Sequence, residues 1–277
     1  MNILLTGAAG YVGKALLEST YFHDYDITGI DCVDSTNIVN ADIRRPLEID
    51  MHGQFGVIHL AGISRVKKGE IDPRSTFEIN VQGSANVLDY ALKNSADWVI
   101  LGGTIESSNS AYGLSKRFMS SIGEYYASRG LKVGVLNFAS IYGGIGGDGD
   151  KLINILFERA LKNEVITLLN PSDSIDFVHV EDVISGLVTF MDQLHASEER
   201  FLKFDLGLGD GISKIELAKE IVRITGSNSH VACIEDENPG GQAVARNLLR
   251  AWNAKFDLHT GLKRALESLR LATSGDM

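Results

Sequence analysis

Cysteine is nearly absent from this chain: Cys32 and Cys233 are the only two in 277 residues, far apart and without C-x-x-C spacing. That excludes a disulfide framework and a cysteine zinc site, and it fits a reducing compartment. Positive charge is also scarce, with 26 Lys and Arg against 36 Asp and Glu and a formal net charge of −10. Non-specific binding to nucleic acid or to an anionic membrane needs a positive surface, so neither partner is expected. A local pocket can still oppose the global sign and take an anionic small molecule. No apolar run approaches the ~20 residues needed to span a bilayer. The opening "MNILLTG" has neither the basic region nor the long apolar region of a signal peptide. These absences predict a soluble, cytoplasmic protein with no metal site.

What is present is an alternation of short apolar runs and longer amphipathic stretches. The runs are "NILLT" (2–6), "DITGID" (26–31), "GVIHL" (56–60), "DWVIL" (97–101) and "KVGVLNF" (132–138). Near-continuous apolarity, rather than alternation, marks strands buried on both faces of a parallel sheet. Between them, Phe77, Val81, Ala85, Leu88 and Leu92 recur at helical steps over 74–94, and a second helix spans 111–129. The pattern predicts a doubly wound α/β sheet of the Rossmann type.

Beyond residue 140 the rhythm loosens, and "SIYGGIGGDGDK" (140–151) is glycine-rich enough to predict a loop. Helices follow at 151–163, from "VEDVISGLVTFM" and over 213–226, where Ser213 and Glu216 have capping-box spacing and Gly226 is the stop. Strands are expected near "VITLL", at "FLKFDLG" and at "HVACIE", and the terminal "TSGDM" is expected to fray. The expected organisation is a dinucleotide-binding core at 1–140. Residues 141–277 then mainly form a small α/β lobe over the carboxyl edge of the sheet, with some segments returning to that sheet.

The first chemistry-bearing stretch is "TGAAGYVG", with Gly7, Gly10 and Gly13 between a strand and a helix. Gly7 permits a tight turn, Gly10 lets backbone approach a pyrophosphate, and Gly13 lets helix and strand pack closely. Asp31 closes the second strand at the distance expected for an acid that binds a ribose 2′-OH. Its charge repels a 2′-phosphate, so NAD is expected over NADP.

The T-G-x-x-G-x-x-G spacing resembles the extended short-chain dehydrogenase/reductases, which include nucleotide-sugar epimerases and dehydratases. "ADIRRP", "VIHLAG", "INVQGSANVLDYA", "DFVHVEDV" and "GDGISKIELAKEI" resemble further family segments in the same order. The resemblance implies cofactor contacts from Ala9, Tyr11 and Val12 of the glycine turn, Asp42 and Ile43 beside the adenine, and Leu60, Ala61 and Gly62 at the strand end. It also places Asn80 near the catalytic lysine, against the plainer reading of a surface polar residue.

Within that frame, "AYGLSK" gains meaning. Tyr112 and Lys116 share a helix face, and an ammonium beside a phenol stabilises the phenolate, so the pair can move a proton. Alone, Y-x-x-x-K reads as a tyrosine packed on a lysine stem. Downstream of a dinucleotide turn it reads as the family's acid–base pair, with the lysine also reaching the cofactor ribose. The family's Ser-Ser or Ser-Thr positions are Gly102 and Gly103 here, which leaves Thr104, one place late, as the third catalytic group. The short loop that follows resembles the sugar 4-ketoreductases of the abequose and paratose synthase type. Thr104 and Glu106 resemble the Thr-x-Glu of 4,6-dehydratases, but Ile105 stands where those enzymes carry a polar residue, so Glu106 is expected to face solvent.

His59 is expected to be at least as much a hydrogen-bonded structural histidine as a cofactor contact, and His179 and Cys32 are expected to pack. On the substrate side the family pattern is broken: Asn137 stands for an arginine, Ser140 for an asparagine, Gly144 for a proline, Ile175 and Ala243 for arginines. Asn137, Ser140 and Arg246 are the candidate substrate contacts, with Arg250 an alternative cation. The leading expectation is an NAD-dependent 4-epimerase of nucleotide sugars. A nucleotide-4-keto-sugar reductase comes second, a 4,6-dehydratase third, and a non-catalytic NAD sensor is the reading from another class. The helices at 74–94 and after Tyr112 are expected to form a four-helix homodimer contact, as in relatives.

Overall fold

The computed structural model describes residues 1–144, 151–235 and 243–274. The chain opens with β1 (Asn2–Thr6), α1 (Tyr11–Leu17), β2 (Asp26–Asp31), β3 (Val39–Asn40) and β4 (Phe55–His59). Next come α2 (Val66–Ile71) and α3 (Pro73–Phe77), then a turn of π-helix, Glu78–Gly83, that leads into α4 (Ser84–Lys93). β5 (Trp98–Thr104), α5 (Ala111–Ser128) and β6 (Val133–Phe138) complete the run. With strand Phe201–Leu206 they build a seven-stranded sheet, in which β6, β5, β4, β1, β2 and β3 lie in that order.

From β3 to β6 every pairing is parallel. Ile3, Leu4, Leu5, Val57, Val99, Ile100 and Val133 are fully buried, which is why their strands read as unbroken apolar runs. The chain leaves β1 in one direction towards β2 and returns on the other side through β4. Strand order therefore reverses between β1 and β4, and ligands of such sheets bind outside the carboxyl ends at that switch point.

The chain divides into two compact units, Met1–Phe138 with Ile184–Asp205, and Ala139–Val183 with Leu206–Met277. The second has its own core of Tyr142, Leu156, Phe157, Leu217, Ile221 and Leu262. Its helices include Leu152–Leu161, Lys214–Thr225 and Leu258–Ser274. Ser213 and Glu216 form the expected capping box, and Gly226 ends the helix in the left-handed region at φ 68°. Fully buried Asp176 accepts the backbone N–H groups of Leu208, Gly209 and Ala245 at 3.0, 2.9 and 3.2 Å, tying two loops to one carboxylate. Burial still holds its pKa above the ordinary aspartate value.

Several expectations need correction. The helix over 74–94 is present but not uniform: it carries a turn of π-helix at 78–83, and Asn80 within that turn is buried rather than on the surface. The stretch at 140–151 is not all loop: Ser140–Tyr142 pairs in parallel with Phe177–His179, and residues 145–150 lie outside the described residues. Cys32 is exposed rather than packed. Thr273 and Ser274 belong to the last helix, and residues 275–277 of the stretch expected to fray lie outside the described residues. Among the described residues no helix is long and apolar enough to cross a membrane, and no cluster of His, Cys, Asp or Glu has the makings of a metal site.

Candidate active site

The glycine turn follows β1 directly. Gly7 has φ 75°, and a Cβ there would stand 2.6 Å from the Ala61 nitrogen. A Cβ at Gly13 would meet the Gly7 carbonyl oxygen at 2.2 Å, so α1 lies against the turn only because no side chain intervenes. Gly10 is exposed, and its N–H donates to the Gly7 carbonyl at 3.0 Å. Asp31, at the end of β2, reaches this turn: its carboxylate accepts the N–H of Ala9 at 3.0 Å and that of Val33 at 3.1 Å. Beside it, burial and the Asp31 charge push the Cys32 thiol up. Tyr11 and Val12 are half-buried at the start of α1, and burial raises the Tyr11 phenol well above its ordinary pKa. Asp42 is held by Arg44, through the Arg44 N–H at 3.0 Å and the guanidinium, which lowers its pKa. Ile43 is buried against Gly83, and its carbonyl accepts the Asn86 amide at 2.8 Å.

Tyr112 and Lys116 sit at the start of α5. Ser110 caps this helix by accepting the Gly113 N–H at 3.0 Å, and Glu70 of α2 accepts the Ala111 N–H at 2.7 Å. Tyr112 and Lys116 are both buried, 8% and 9% exposed. Nζ of Lys116 donates to the Gly102 carbonyl at 2.8 Å, and among the described residues no carboxylate pairs with it. A buried ammonium without a counter-charge loses its proton more readily, and its pKa falls to about 8. Burial raises the Tyr112 phenol, and the neighbouring Thr104 hydroxyl opposes that rise.

Thr104 thus meets the tyrosine from its position at the last residue of β5. Its Oγ1 also accepts the Glu106 N–H at 3.2 Å. Glu106 is half-buried rather than facing solvent, and its carboxylate accepts the Ser108 N–H at 2.8 Å. Arg117 grips the same loop, donating to the carbonyls of Ser107 and Ser108 at 3.1 and 2.8 Å and to the Asn109 side chain at 3.0 Å.

The glycine at 103 has a steric reason. Gly103 lies opposite Asn137 in the β5–β6 register, and a Cβ there would stand 2.2 Å from Asn137 Oδ1. Asn137 is fixed from its other end by donating to Asp205 at 2.9 Å. Gly103→Ser is therefore expected to cost ~1–3 kcal/mol by overpacking. Pairing it with Asn137→Ala should recover part of that loss in urea unfolding. A strictly additive double variant would contradict this steric account.

Leu60, Ala61 and Gly62 follow β4, half-buried, and a Cβ at Gly62 would lie 3.6 Å from Lys116 Nζ. Asn80 is buried: Oδ1 accepts the Ile63 N–H at 2.7 Å, and Nδ2 donates to the Ile63 carbonyl at 3.0 Å and to Ser115 Oγ at 2.9 Å. Sequence reasoning named Asn80 but missed its partners Ile63 and Ser115, whose polarity or spacing gives no signal. In the second unit, Ser140 and Arg246 are exposed, and Ala243 forms a lone bridge with Ile175. His179 is 2% exposed against the rings of Tyr142 and Phe256. Residues 239–242 of "PGGQA" lie outside the described residues.

Residues 3–202 match the model of the NAD dependent epimerase/dehydratase family. The chain belongs to that family. It is 25% identical to a putative UDP-glucose 4-epimerase of Methanocaldococcus jannaschii, over 97% of this chain and 98% of that one. It is also 25% identical to the CDP-abequose synthase of Salmonella typhimurium, over 96% and 98%. The UDP-glucose 4-epimerase of Thermotoga maritima, solved with UDP-glucose, shares the fold at a TM-score of 0.81 and 22% identity, covering 99% of this chain and 100% of that one. The Thermus thermophilus UDP-glucose 4-epimerase in complex with NAD does so at 0.81 and 21%, covering 98% and 99%. As a member of the epimerase/dehydratase family the protein is an enzyme and its cofactor is NAD. The side-chain-free cradle at Gly7 and Gly13, with an acid at the end of β2, is a fit for that dinucleotide.

Proposed function

We propose that this enzyme is a nucleotide-sugar 4-epimerase in which Tyr112 is the acid–base group. The observation that carries this is the meeting of three groups: the buried Tyr112 phenol, the half-buried Thr104 hydroxyl beside it, and buried Lys116 one helical turn away. The turn of Gly7, Gly10 and Gly13 with Ala9, Tyr11 and Val12 holds the pyrophosphate side of the cofactor. Asp31 takes its ribose, Asp42 and Ile43 flank its adenine, and Leu60, Ala61 and Gly62 lie towards its reactive end. Bound there, NAD would supply a reversible hydride acceptor.

The residues of the chain govern the proton. At rest the buried phenol is protonated, because desolvation and the nearby Glu106 charge both raise it. Positive charge on Lys116 draws it towards the phenolate, which takes the proton of the sugar hydroxyl and later gives it back. Thr104 orients the reacting oxygen. Glu106 is engaged by the Ser108 amide, which supports a site without the extra acid that a dehydratase uses to expel water. Asn137, Ser140 and Arg246 are the proposed sugar-nucleotide contacts.

The test is incubation of the purified protein with UDP-galactose and, separately, UDP-glucose, followed by proton NMR of the anomeric region. Interconversion of the two with no net NADH is the expected result; no change with either substrate contradicts the epimerase reading for these sugars. A second reading, reduction of a 4-keto sugar, is supported by the short Thr104–Ala111 loop and by the equal likeness to the CDP-abequose synthase. Stoichiometric consumption of a reduced nicotinamide by a keto sugar would favour it. Asp31 weighs against NADPH as the donor.

The partner proposed is a second copy of the chain. Phe77, Val81, Ala85, Phe118 and Ile122 line one apolar groove between α3–α4 and α5, with Phe118 50% exposed. Apolar faces of this kind mark protein contacts. Light scattering should give twice the 30.1 kDa chain mass, and Phe118→Glu should shift it to the monomer. A monomeric unaltered protein would refute the contact.

A further inference from the structure

His59 is a buried titratable group that the proton chemistry above leaves unused. It is 1% exposed, at the end of β4. Its Nδ1 lies 2.6 Å from Thr6 Oγ1 and its Nε2 2.9 Å from Ser84 Oγ. The outer partners fix which atom holds each proton. Ser84 Oγ donates to the Asn80 carbonyl at 2.7 Å, so towards His59 it must accept, and Nε2 carries the proton. Nδ1 is then the acceptor, and the Thr6 hydroxyl donates to it. Thr6 Oγ1 in turn accepts the Ala61 N–H at 3.2 Å. Every donor and acceptor along this line has one role, so the histidine is held neutral in a single tautomer. Burial and the Lys116 charge agree, pushing it down to about 3.

The Ser84 bond ends on the backbone carbonyl of Asn80, which places that residue on its helix. The Asn80 side chain holds both the N–H and the carbonyl of Ile63, and it donates to Ser115, whose hydroxyl donates to the Tyr112 carbonyl at 2.8 Å. One set of bonds therefore runs from Ala61 through Thr6, His59 and Ser84 to the backbone carbonyl of Asn80, and a second runs from the side chain of that residue through Ser115 to the Tyr112 backbone. Together they join the loop after β4 to the first turn of α5, just before Lys116. The geometry points to His59 as a positioning residue that sets the Tyr112–Lys116 pair against the 61–63 loop through Ser84 and Asn80. This rests on the assignment of Tyr112 as the acid–base group. A relay of fixed direction has a consequence that mere core filling lacks: its two ends are unequal, since only the Nε2 end leads to the tyrosine.

Two half-mimics separate the ends. In His59→Asn the side-chain oxygen sits near the Nδ1 position and keeps the Thr6 bond, but the side chain falls short of Ser84. In His59→Gln the side-chain nitrogen reaches the Nε2 position and keeps the donation to Ser84. Ser84→Ala cuts the line at its next step with little change in volume. His59→Asn and Ser84→Ala are expected to lower kcat about tenfold or more with KM within about threefold, and His59→Gln to keep most of it. Hydrogen exchange of the Ile63 amide reads the same line without catalysis: it should quicken in the Asn and Ala variants and stay slow in the Gln variant. Equal kcat in the Asn and Gln variants overturns the proposal, as does quickened Ile63 exchange with unchanged turnover. Tyr112→Phe runs in parallel. If it keeps full turnover, the acid–base assignment fails, and the exchange pattern alone then decides whether His59 holds the loop.

Discussion

Tyr112→Phe is expected to lower turnover about a thousandfold, the scale of a lost general acid–base group, while NAD binding stays close to that of the unaltered protein. The side chain is buried and Gly69 of α2 lies against its Cβ, so phenylalanine fills the same space and the fold is kept. Only the hydroxyl beside Thr104 goes. The measurement pairs an epimerisation assay with titration of NAD by fluorescence quenching. Loss of turnover with binding retained separates an enzyme from a protein that only senses NAD. Unchanged turnover would remove the tyrosine from the mechanism.

Lys116→Met is expected to split stability from activity. The folded protein releases this proton at about 8, against 10.5 for a free lysine, because burial disfavours the charge. Between those values the unfolded chain holds the proton and the folded one does not, so stability rises as pH climbs through that window. Below it the buried charge costs its full amount, about 3 kcal/mol at ~1.4 kcal/mol per unit. Methionine removes that cost but leaves the Gly102 carbonyl without its 2.8 Å donor, returning about 1 kcal/mol. At pH 7 the variant should be more stable by about 2 kcal/mol, with turnover lowered about a hundredfold or more. Its gain should shrink as pH rises beyond about 8. Urea unfolding at pH 7 and pH 10 reads both points, and a variant less stable than the parent at pH 7 would contradict the desolvation argument.

The parts of the site that could be read from sequence are those with local spacing. Gly7, Gly10 and Gly13 follow a strand at fixed intervals, and Tyr112 and Lys116 share one helical turn. The buried strands showed through because a parallel sheet covered on both faces leaves no polar alternation. Thr104 was a candidate only through the family resemblance, whose two hydroxyl positions are Gly102 and Gly103 here. The reason for Gly103 lies across the sheet in Asn137, a contact between residues 34 apart in register that no local pattern encodes. The π-turn was hidden because Phe77, Val81 and Ala85 keep helical steps through it. His59 was visible as a residue, but its partners Thr6 and Ser84 are 53 and 25 positions away. Ser140–Tyr142 read as loop because the glycines after it masked three strand residues.

The central claim is a redox-neutral inversion at one carbon, with Tyr112 moving the proton. A UDP-hexose carrying deuterium at C4 tests it most directly, with the product examined by proton and deuterium NMR. The account predicts the C4 epimer with its deuterium retained, no net change in nicotinamide, and no reaction in Tyr112→Phe. Deuterium lost to solvent, or a product reduced or dehydrated rather than inverted, would contradict it.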